Sequence, residues 1–282
     1  MKIRPIIITF LLPLLFSACE EAAPETIPST PLVVDGWIDE GGAPVVLVSR
    51  TLGPSESLQD KAALLMKVIT YATVRVSDGT TTVTLKGRRD DNYIPPFIYT
   101  TDEMTGEAGK TYRLDVSFPG INAWAETTLP AKTALDRLEV KVSERDGDLY
   151  GITAHFKDNP ATRDWYKFFT MVEGVNTTWN SSFLGALDDA TLDSPDVSLP
   201  VSRGWWLMEK SNLPLFRKGE TVHVKFCTVD ETTYLHWKTY DDATILSRNP
   251  FFPVSGNVVT NMHGALGFWA GYGASFYDVT ID

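Results

Sequence analysis

The chain has 282 residues, with 25 lysines and arginines against 36 aspartates and glutamates, which gives a net charge of −11. A hydrophobic fraction of 43% predicts a folded body, and the acidic balance argues against a nucleic-acid partner because phosphate binding needs a basic face. The length suits one large domain or two medium ones, and two cysteines are too few for a disulfide scaffold.

The N-terminus predicts a lipoprotein signal peptide over residues 1–18. Lys2 and Arg4 precede an apolar run of about a dozen residues, which is too short to span a bilayer as a helix and suits a secretory signal. The run ends at Ala18-Cys19 and resembles a bacterial lipobox, whose cysteine is acylated and becomes the mature N-terminus. An ordinary secretory signal that ends in cysteine is the alternative. Processing would leave 23 basic residues against 36 acidic ones, a net charge of −13.

Residues 19–30 predict a lipidated tether that is acidic and rich in proline. Glu20 and Glu21 follow the cysteine directly and resemble the surface-export signal of Bacteroidetes lipoproteins, although a chance acidic pair in a solvated linker is the alternative. Pro24 and Pro28 fix φ and remove backbone donors, which favours an extended chain. We therefore expect a protein held by lipid on Cys19 at the outer membrane, facing the cell exterior.

Residues 31–130 predict an N-terminal β-sandwich of immunoglobulin-like or transthyretin-like type. Val74 and Val76 alternate with polar neighbours before Asp78-Gly79, which indicates a hairpin because glycine readily supplies positive φ. Many short strands separated by such turns are typical of a sandwich. The other signals in this region are strands at 32–34, 45–48 and 112–118, and a segment at 64–69 that fits either a short helix or a strand.

Residues 131–282 predict a second, mainly β domain with one short helix. Its strand signals lie at 138–142, 152–156, 165–172 and 222–226, with Gly-punctuated strands from 254 to the end. Asp230 suits an N-cap for a helix that reaches about Thr239. Residues 174–220 are rich in Asn, Ser, Asp, Gly and Pro, and predict long loops with short elements. The whole chain is thus expected to be all-β.

The sequence contains no recognisable catalytic or metal-binding motif. The four histidines lack a zinc spacing, and on a strand His223 and Cys227 would stand about 13 Å apart, too far to reach one metal. Neither a Gly-x-Ser-x-Gly elbow nor a dinucleotide-binding loop occurs. We therefore expect no catalytic residue, no metal and no cofactor.

The candidate ligand- or partner-binding residues lie within the loop-rich stretch: Trp205, Trp206, Asp188, Asp189, Asp193 and Asp196. Adjacent residues of a strand face opposite sides, so at least one tryptophan would be exposed, and exposed aromatics supply rigid contact area for recognition. The alternatives are that both tryptophans complete a core, and that the aspartates are solvated or hold a calcium ion, although their spacing is not that of an EF-hand.

Six segments taken in order carry a resemblance over about 240 residues: LVVDGWI at 32–38, VLVSRT at 46–51, GKTYRL at 109–114, TTLP at 127–130, NPFFP at 249–253 and GALGFWAGYG at 264–273. In these the chain resembles the Bacteroidetes lipoproteins grouped as domain of unknown function 4249. The resemblance transfers no catalytic residue. It implies a setting beside TonB-dependent outer-membrane transporters, and such a transporter is the partner it suggests.

Three hypotheses of function follow. The first is a non-catalytic, surface-exposed lipoprotein that binds a ligand or acts as the accessory partner of a TonB-dependent transporter. The second is a structural or envelope-assembly lipoprotein that makes only protein contacts. The third is a hydrolase with an unrecognised site, which would need a nucleophile and a base within hydrogen-bond reach.

Overall fold

The computed structural model describes residues 31–51, 61–144, 146–204, 214–247 and 257–282. Strands hold 53% of the chain and helices 10%, which confirms the all-β class. None of the helices in these ranges is both long enough and apolar enough to cross a membrane.

The described residues between 31 and 130 form eight strands and one helix: β1 (Leu32–Asp39), β2 (Val45–Arg50), α1 (Lys61–Lys67), β3 (Thr73–Ser77), β4 (Thr82–Thr84), β5 (Lys86–Arg89), β6 (Phe97–Thr100), β7 (Thr111–Phe118) and β8 (Ile121–Thr128). The remaining residues form β9 (Leu135–Val142), β10 (Leu149–Lys157), β11 (Trp165–Val172), β12 (Asn180–Asp188), β13 (Asp196–Val201), β14 (Phe216–Arg217), β15 (Thr221–Val229), α2 (Glu231–Ser247) and β16 (Leu266–Thr280).

One long sheet runs through the molecule in the order β12-β11-β15-β16-β1-β2-β6-β5. β1 and β16 pair in parallel, from Val33 opposite Leu266 to Asp39 opposite Tyr272, and the other pairs of this sheet are antiparallel. Two four-stranded sheets accompany it, β4-β3-β7-β8 and β13-β10-β14 with β9 beside β10. The expected division at residue 130 falls between β8 and β9, and remains a prediction.

The long sheet contributes side chains to a core on each of its two faces. Successive residues of a strand point to opposite sides, so in β15 Val224 and Phe226 enter a core with β10, whereas Cys227 and Val229 enter an aromatic core with α2. A third core joins β1 and β2 to β3, β7 and β8. We call the side of the long sheet that carries Cys227 its outer face.

Predictions that rest on neighbouring residues in the chain, such as the β3–β4 turn and the N-cap of α2, are confirmed. Val74 and Val76 are fully buried, and Gly79 has a φ of +87° in the turn between β3 and β4. Asp230 caps α2, because the backbone N–H of Thr233 donates to its Oδ1 at 2.7 Å. The ambiguous segment 64–69 contains the end of α1 followed by a bridge to β2.

Three expectations need correction. Residues 180–188, placed in a long loop, form the nine-residue strand β12, because pairing with the apolar β11 outweighs their polar composition. The helix extends beyond Thr239 to Ser247, where Asp241 finds a buried cationic partner. The C-terminal glycines do not break β16, since a Cβ on Gly273 would lie 2.6 Å from the carbonyl oxygen of Pro130, so this glycine permits a close crossing.

Candidate functional site

Two lysines are buried on the outer face, Lys167 in β11 and Lys225 in β15. Their side chains are 0% and 3% exposed. In the strand register, Lys225 lies opposite Phe169 of β11 and opposite Phe276 of β16, on the same face of the sheet. Lysine is almost never fully buried without a partner, so the partners of these two ammonium groups define the chemistry of this face.

Lys225 is held by a carboxylate and by aromatic rings. Its Nζ donates to Asp39 Oδ1 at 2.6 Å and lies 4.6 Å from the ring centre of Tyr272 and 5.6 Å from that of Phe169. Because β16 separates β15 from β1, the side chain passes over one strand to reach Asp39. Ring faces attract a desolvated cation, so this lysine is stabilised by packing as well as by charge.

Lys167 has weaker electrostatic support. Its Nζ donates to the Ser182 carbonyl at 3.2 Å, lies 5.0 Å from the Trp237 ring, and stands 3.7 Å from Asp241 Oδ2 on α2. Burial lowers the pKa of Lys167 to about 8 and raises the pKa of Asp241. Both shifts disfavour the charged forms, which shows that loss of water outweighs the mutual attraction of the pair.

Asp241 also fixes an unusual backbone in β12. It accepts the backbone N–H of Leu184, whose φ of 52° lies in the left-handed region that leucine rarely adopts. This conformation falls in the irregular part of the β11–β12 pairing. Asp241 of α2 thus stabilises the irregular backbone of the edge strand β12.

Cys227 does not supply a nucleophile on this face. It is fully buried and free of disulfide bonding, and burial raises the pKa of its thiol to about 12, so the reactive thiolate is not formed near neutral pH. It faces Lys167 across the strands and packs with Tyr272 and Trp237. The buried part of the outer face is therefore a packed support for the surface beside it.

An aromatic pair, an exposed Phe276 and a half-buried Trp179, lies at the border of this packed region. Phe276 is 52% exposed, its ring centre is 5.7 Å from that of Trp179, and Lys225 Nζ backs it at 5.8 Å. A second pair, Trp37 and Tyr93, has ring centres 6.0 Å apart. We call Trp179 and Phe276 the aromatic surface.

Trp205 and Trp206 lie outside the described residues, but the position from which their segment starts is defined. Gly204 bridges to Ser182, and a Cβ on Gly204 would lie 2.6 Å from the carbonyl oxygen of Asn180, so only glycine fits here. Asn180 directly follows Trp179 in the chain. Gly204, the residue before the two tryptophans, therefore contacts the chain neighbour of Trp179, and it donates its N–H to Thr170 Oγ1 on the face of β11 opposite the aromatic surface.

The four candidate aspartates lie elsewhere. Asp188 ends β12 and pairs with Arg163 at 2.8 Å, and Asp189 lies 3.1 Å from the same guanidinium. Asp193 and Asp196 are exposed. β12 separates the two groups: Asp188 pairs with Trp165, whereas Ser181, next to the position that Gly204 bridges, pairs with Phe169, four residues or roughly 13 Å further along β11. The structure does not bring these aspartates to the start of the tryptophan segment, and their role in binding remains a prediction.

Asp189 also belongs to a carboxylate cluster with Asp158 and Asp164, whose oxygens lie within 4.8 Å of one another. Protein donors account for this arrangement. Tyr166 O–H donates to Asp158 at 2.7 Å, Thr162 Oγ1 donates to Asp164 at 2.5 Å, and the Asp164 N–H donates to Asp189 at 2.6 Å. The cluster therefore needs no bound cation to explain it.

A serine, a histidine and a glutamate form a hydrogen-bonded line on the sheet of β9, β10 and β13. Ser198 Oγ is 2.8 Å from His155 Nδ1, and His155 Nε2 is 3.1 Å from Glu139 Oε2. With the proton on Nε2, the histidine donates to Glu139 and accepts from the Ser198 hydroxyl, the arrangement of a nucleophile with its base. Arg137 also approaches Nδ1, at 3.3 Å.

Sequence reasoning missed both this line and the buried lysines, for different reasons. Ser198, His155 and Glu139 meet only through strand register, which no local motif encodes. Lys167 and Lys225 did leave a signal, since each stands directly between two apolar residues of a largely buried strand. A charged residue inside such a run predicts a buried partner.

The comparison with protein families gives one match. The family described as Domain of unknown function (DUF4249) matches residues 20–276, a range that includes every element of the fold up to most of β16. No curated protein matches the chain.

Proposed function

This chain belongs to the family of domain of unknown function 4249, and we propose that it is a non-catalytic recognition protein, held by lipid at the outer membrane and facing the cell exterior. Its partner in this proposal is a ligand or a TonB-dependent transporter that it assists. The lipid attaches at Cys19, and Glu20 and Glu21 direct export to the surface.

The observation that supports recognition is the aromatic pair at the surface, an exposed Phe276 against a half-buried Trp179. Aromatic side chains give large contact areas at a low entropic cost, and they are enriched among residues that dominate binding energy. The packed lysines and rings beneath them hold the pair in place before a partner arrives, which reduces the cost of binding.

The long sheet also separates the lipid from the aromatic surface. Leu266, at the start of β16, pairs with Val33 just after the tether, and Phe276 lies ten residues further along the same strand. Ten residues of strand span about 33 Å. A body anchored through Cys19 would therefore carry its aromatic surface well away from the attachment point.

Mass spectrometry and affinity purification test this proposal. The mature wild type should carry acyl chains on Cys19 and should retain a partner when purified from native membranes, whereas Cys19→Ala should be unprocessed or released. A mature N-terminus at any other residue would contradict the anchor. Recovery of the same partners by the wild type and by Phe276→Ala would contradict recognition through the aromatic surface.

A hydrolase is the second candidate, because Ser198 and His155 meet the requirement for a nucleophile and base in contact. In that reaction Ser198 Oγ would attack an ester carbonyl, His155 would take the hydroxyl proton and give it to the leaving alkoxide, and water would then release the acyl group. Against it, Ser198 is exposed on a sheet face, where water competes with preorganised donors. A fluorophosphonate probe decides the point: labelling of wild type that is lost in Ser198→Ala and kept in Ser194→Ala would favour the hydrolase.

A further inference from the structure

Three exposed apolar side chains lie close together in the chain on and after α1. Met66 is 85% exposed, Tyr71 69% and Leu65 51%. Soluble surfaces carry scattered apolar residues without consequence, but a group of large ones marks a contact surface. We call Leu65, Met66 and Tyr71 the apolar patch.

Contacts with β1, β2 and β7 place the apolar patch at the end of the long sheet where the tether enters. Arg50 pairs with Leu32, the first residue of β1, and its guanidinium lies 5.3 Å from the Phe118 ring. Tyr71 contacts the same ring, with its ring centre 5.3 Å from that of Phe118. Ile69, between Met66 and Tyr71, donates its N–H to the carbonyl of Val48 in β2 at 2.9 Å.

The length of the tether limits how far this end of the body can lie from the lipid. Twelve peptide units separate Cys19 from Pro31, so the chain between them reaches at most about 40 Å. Leu266 lies at the same end, opposite Val33, and is itself an exposed apolar residue. The end of the body to which the tether is joined thus carries Met66 and Tyr71, the two most exposed large apolar side chains among the described residues.

We propose that the apolar patch inserts into the interface of the bilayer that holds the Cys19 acyl chains, which gives the body a fixed orientation on the membrane. The proposal rests on the lipid anchor of the proposed function. Leucine and methionine suit the acyl boundary, and tyrosine suits the headgroup level, where one end of its ring is wet. A mature net charge of −13 gives no electrostatic attraction to anionic lipid, so the contact is apolar and insensitive to salt.

The chain offers a matched control at the far end of the molecule. Val142 is 55% exposed, close to the exposure of Leu65. Val142 pairs with Tyr150 of β10, and Tyr150 pairs with Phe216 of β14. Three residues after Phe216, Gly219 donates its backbone N–H to the carbonyl of Ile281, just beyond the end of β16. The 15 residues of β16 place this end about 45 Å from Leu266.

The experiment uses the full-length lipidated protein in vesicles of phosphatidylethanolamine and phosphatidylglycerol. An environment-sensitive fluorophore is attached to Met66→Cys or to Val142→Cys, and the buried Cys227 does not react. Brominated acyl chains then report contact with lipid. The proposal predicts a blue-shifted emission and a loss of fluorescence to bromolipid at position 66, unchanged in high salt, and neither effect at position 142. Leu65→Asp in the Met66→Cys background should abolish both effects.

Flotation of the same samples separates failure of this inference from failure of the anchor. Protein that floats with the vesicles while position 66 is not quenched contradicts membrane contact by the patch and leaves the anchor intact. Wild type that does not float contradicts the anchor and the patch together. A blue shift at position 66 that depends on protein concentration and not on bromolipid would show that a second copy or another protein covers the patch, which also overturns the proposal.

Discussion

Lys225 and Asp39 are 186 residues apart in the chain, and they form an ion pair of 2.6 Å across the long sheet. The pair connects β15 with β1 over the intervening β16, so it joins the first strand of the body to one of its last. Tyr272, which lies opposite Asp39 in the register of β16, covers the ammonium group with its ring. The ion pair can therefore form only when β15, β16 and β1 lie side by side in the long sheet.

Asp39→Ala should destabilise the protein strongly. The substitution leaves the Lys225 ammonium, whose side chain is 3% exposed, without its carboxylate. An uncompensated buried charge of this kind costs about 3 kcal/mol, because in the wild type Asp39 retains some contact with solvent. Urea unfolding measures the loss. Asp242→Ala is the control, since Lys238 and Asp242 form an exposed pair on α2 and should change the unfolding free energy by less than about 0.5 kcal/mol. Equal losses in both variants would show that the Asp39 pair has no special role.

Lys167 should make the protein more stable as the pH rises from about 8 to 10.5. Its pKa is about 8 in the folded chain, below the ordinary lysine value of 10.5 that applies in the unfolded chain, so in this window the unfolded chain binds more protons and the free energy of unfolding increases with pH. The total gain is about 3 kcal/mol for a fully buried group. Below pH 8 both states are protonated and this contribution is constant.

Urea midpoints of Lys167→Met across the same pH range test this prediction. The variant should lose the rise, whereas Lys238→Met, which removes an exposed lysine, should keep it. Comparing slopes avoids the separate effect of leaving Asp241 without its cation. A rise that persists unchanged in Lys167→Met would show that another group titrates.

Trp205→Ala and Trp206→Ala separate recognition from packing. A tryptophan that fills a core costs about 3–5 kcal/mol when truncated, whereas an exposed anchor leaves folding intact and weakens binding. We expect at least one variant to keep the wild-type melting temperature and to lose partner recovery from native membranes. If both melt far below wild type, or both retain full recovery, the assignment of these residues to a binding surface is wrong.

Substitution of Glu20 and Glu21 by alanine should leave the protein lipidated but facing inward. The acidic pair follows the acylated cysteine directly, in the position expected for an export signal. Protease shaving of intact cells, with acylation checked by mass spectrometry, measures the change. Wild type that resists shaving completely would contradict exposure on the cell surface.

The sequence predicted the parts of the fold that depend on neighbouring residues. Alternation located the strands of Val74 and Phe226, turn chemistry located Gly79, and a capping side chain located the start of α2 at Asp230. It could not predict the parallel pairing of β1 with β16, because that register joins segments more than 200 residues apart and leaves no local pattern.

The candidate site was accessible to sequence reasoning only in part. Trp205 was identified from its neighbours in the chain, but Phe276 belongs to the surface only through pairing of β15 with β16. The expected grouping of tryptophans with Asp188 assumed one loop, and the strand β12 between them separates their ends. The composition of residues 174–220 predicted long loops, whereas pairing with β11 makes residues 180–188 an edge strand of the long sheet.

Photo-crosslinking in intact cells tests most directly whether the protein recognises a partner through its aromatic surface. A benzophenone amino acid is placed at position 276, where Phe276 is half exposed, or at the control position of Val142. The account predicts that the probe at 276 forms an adduct with an outer-membrane protein or reacts with a co-purifying ligand, and that the probe at 142 does not. No adduct at 276, or the same adducts at both positions, would contradict it.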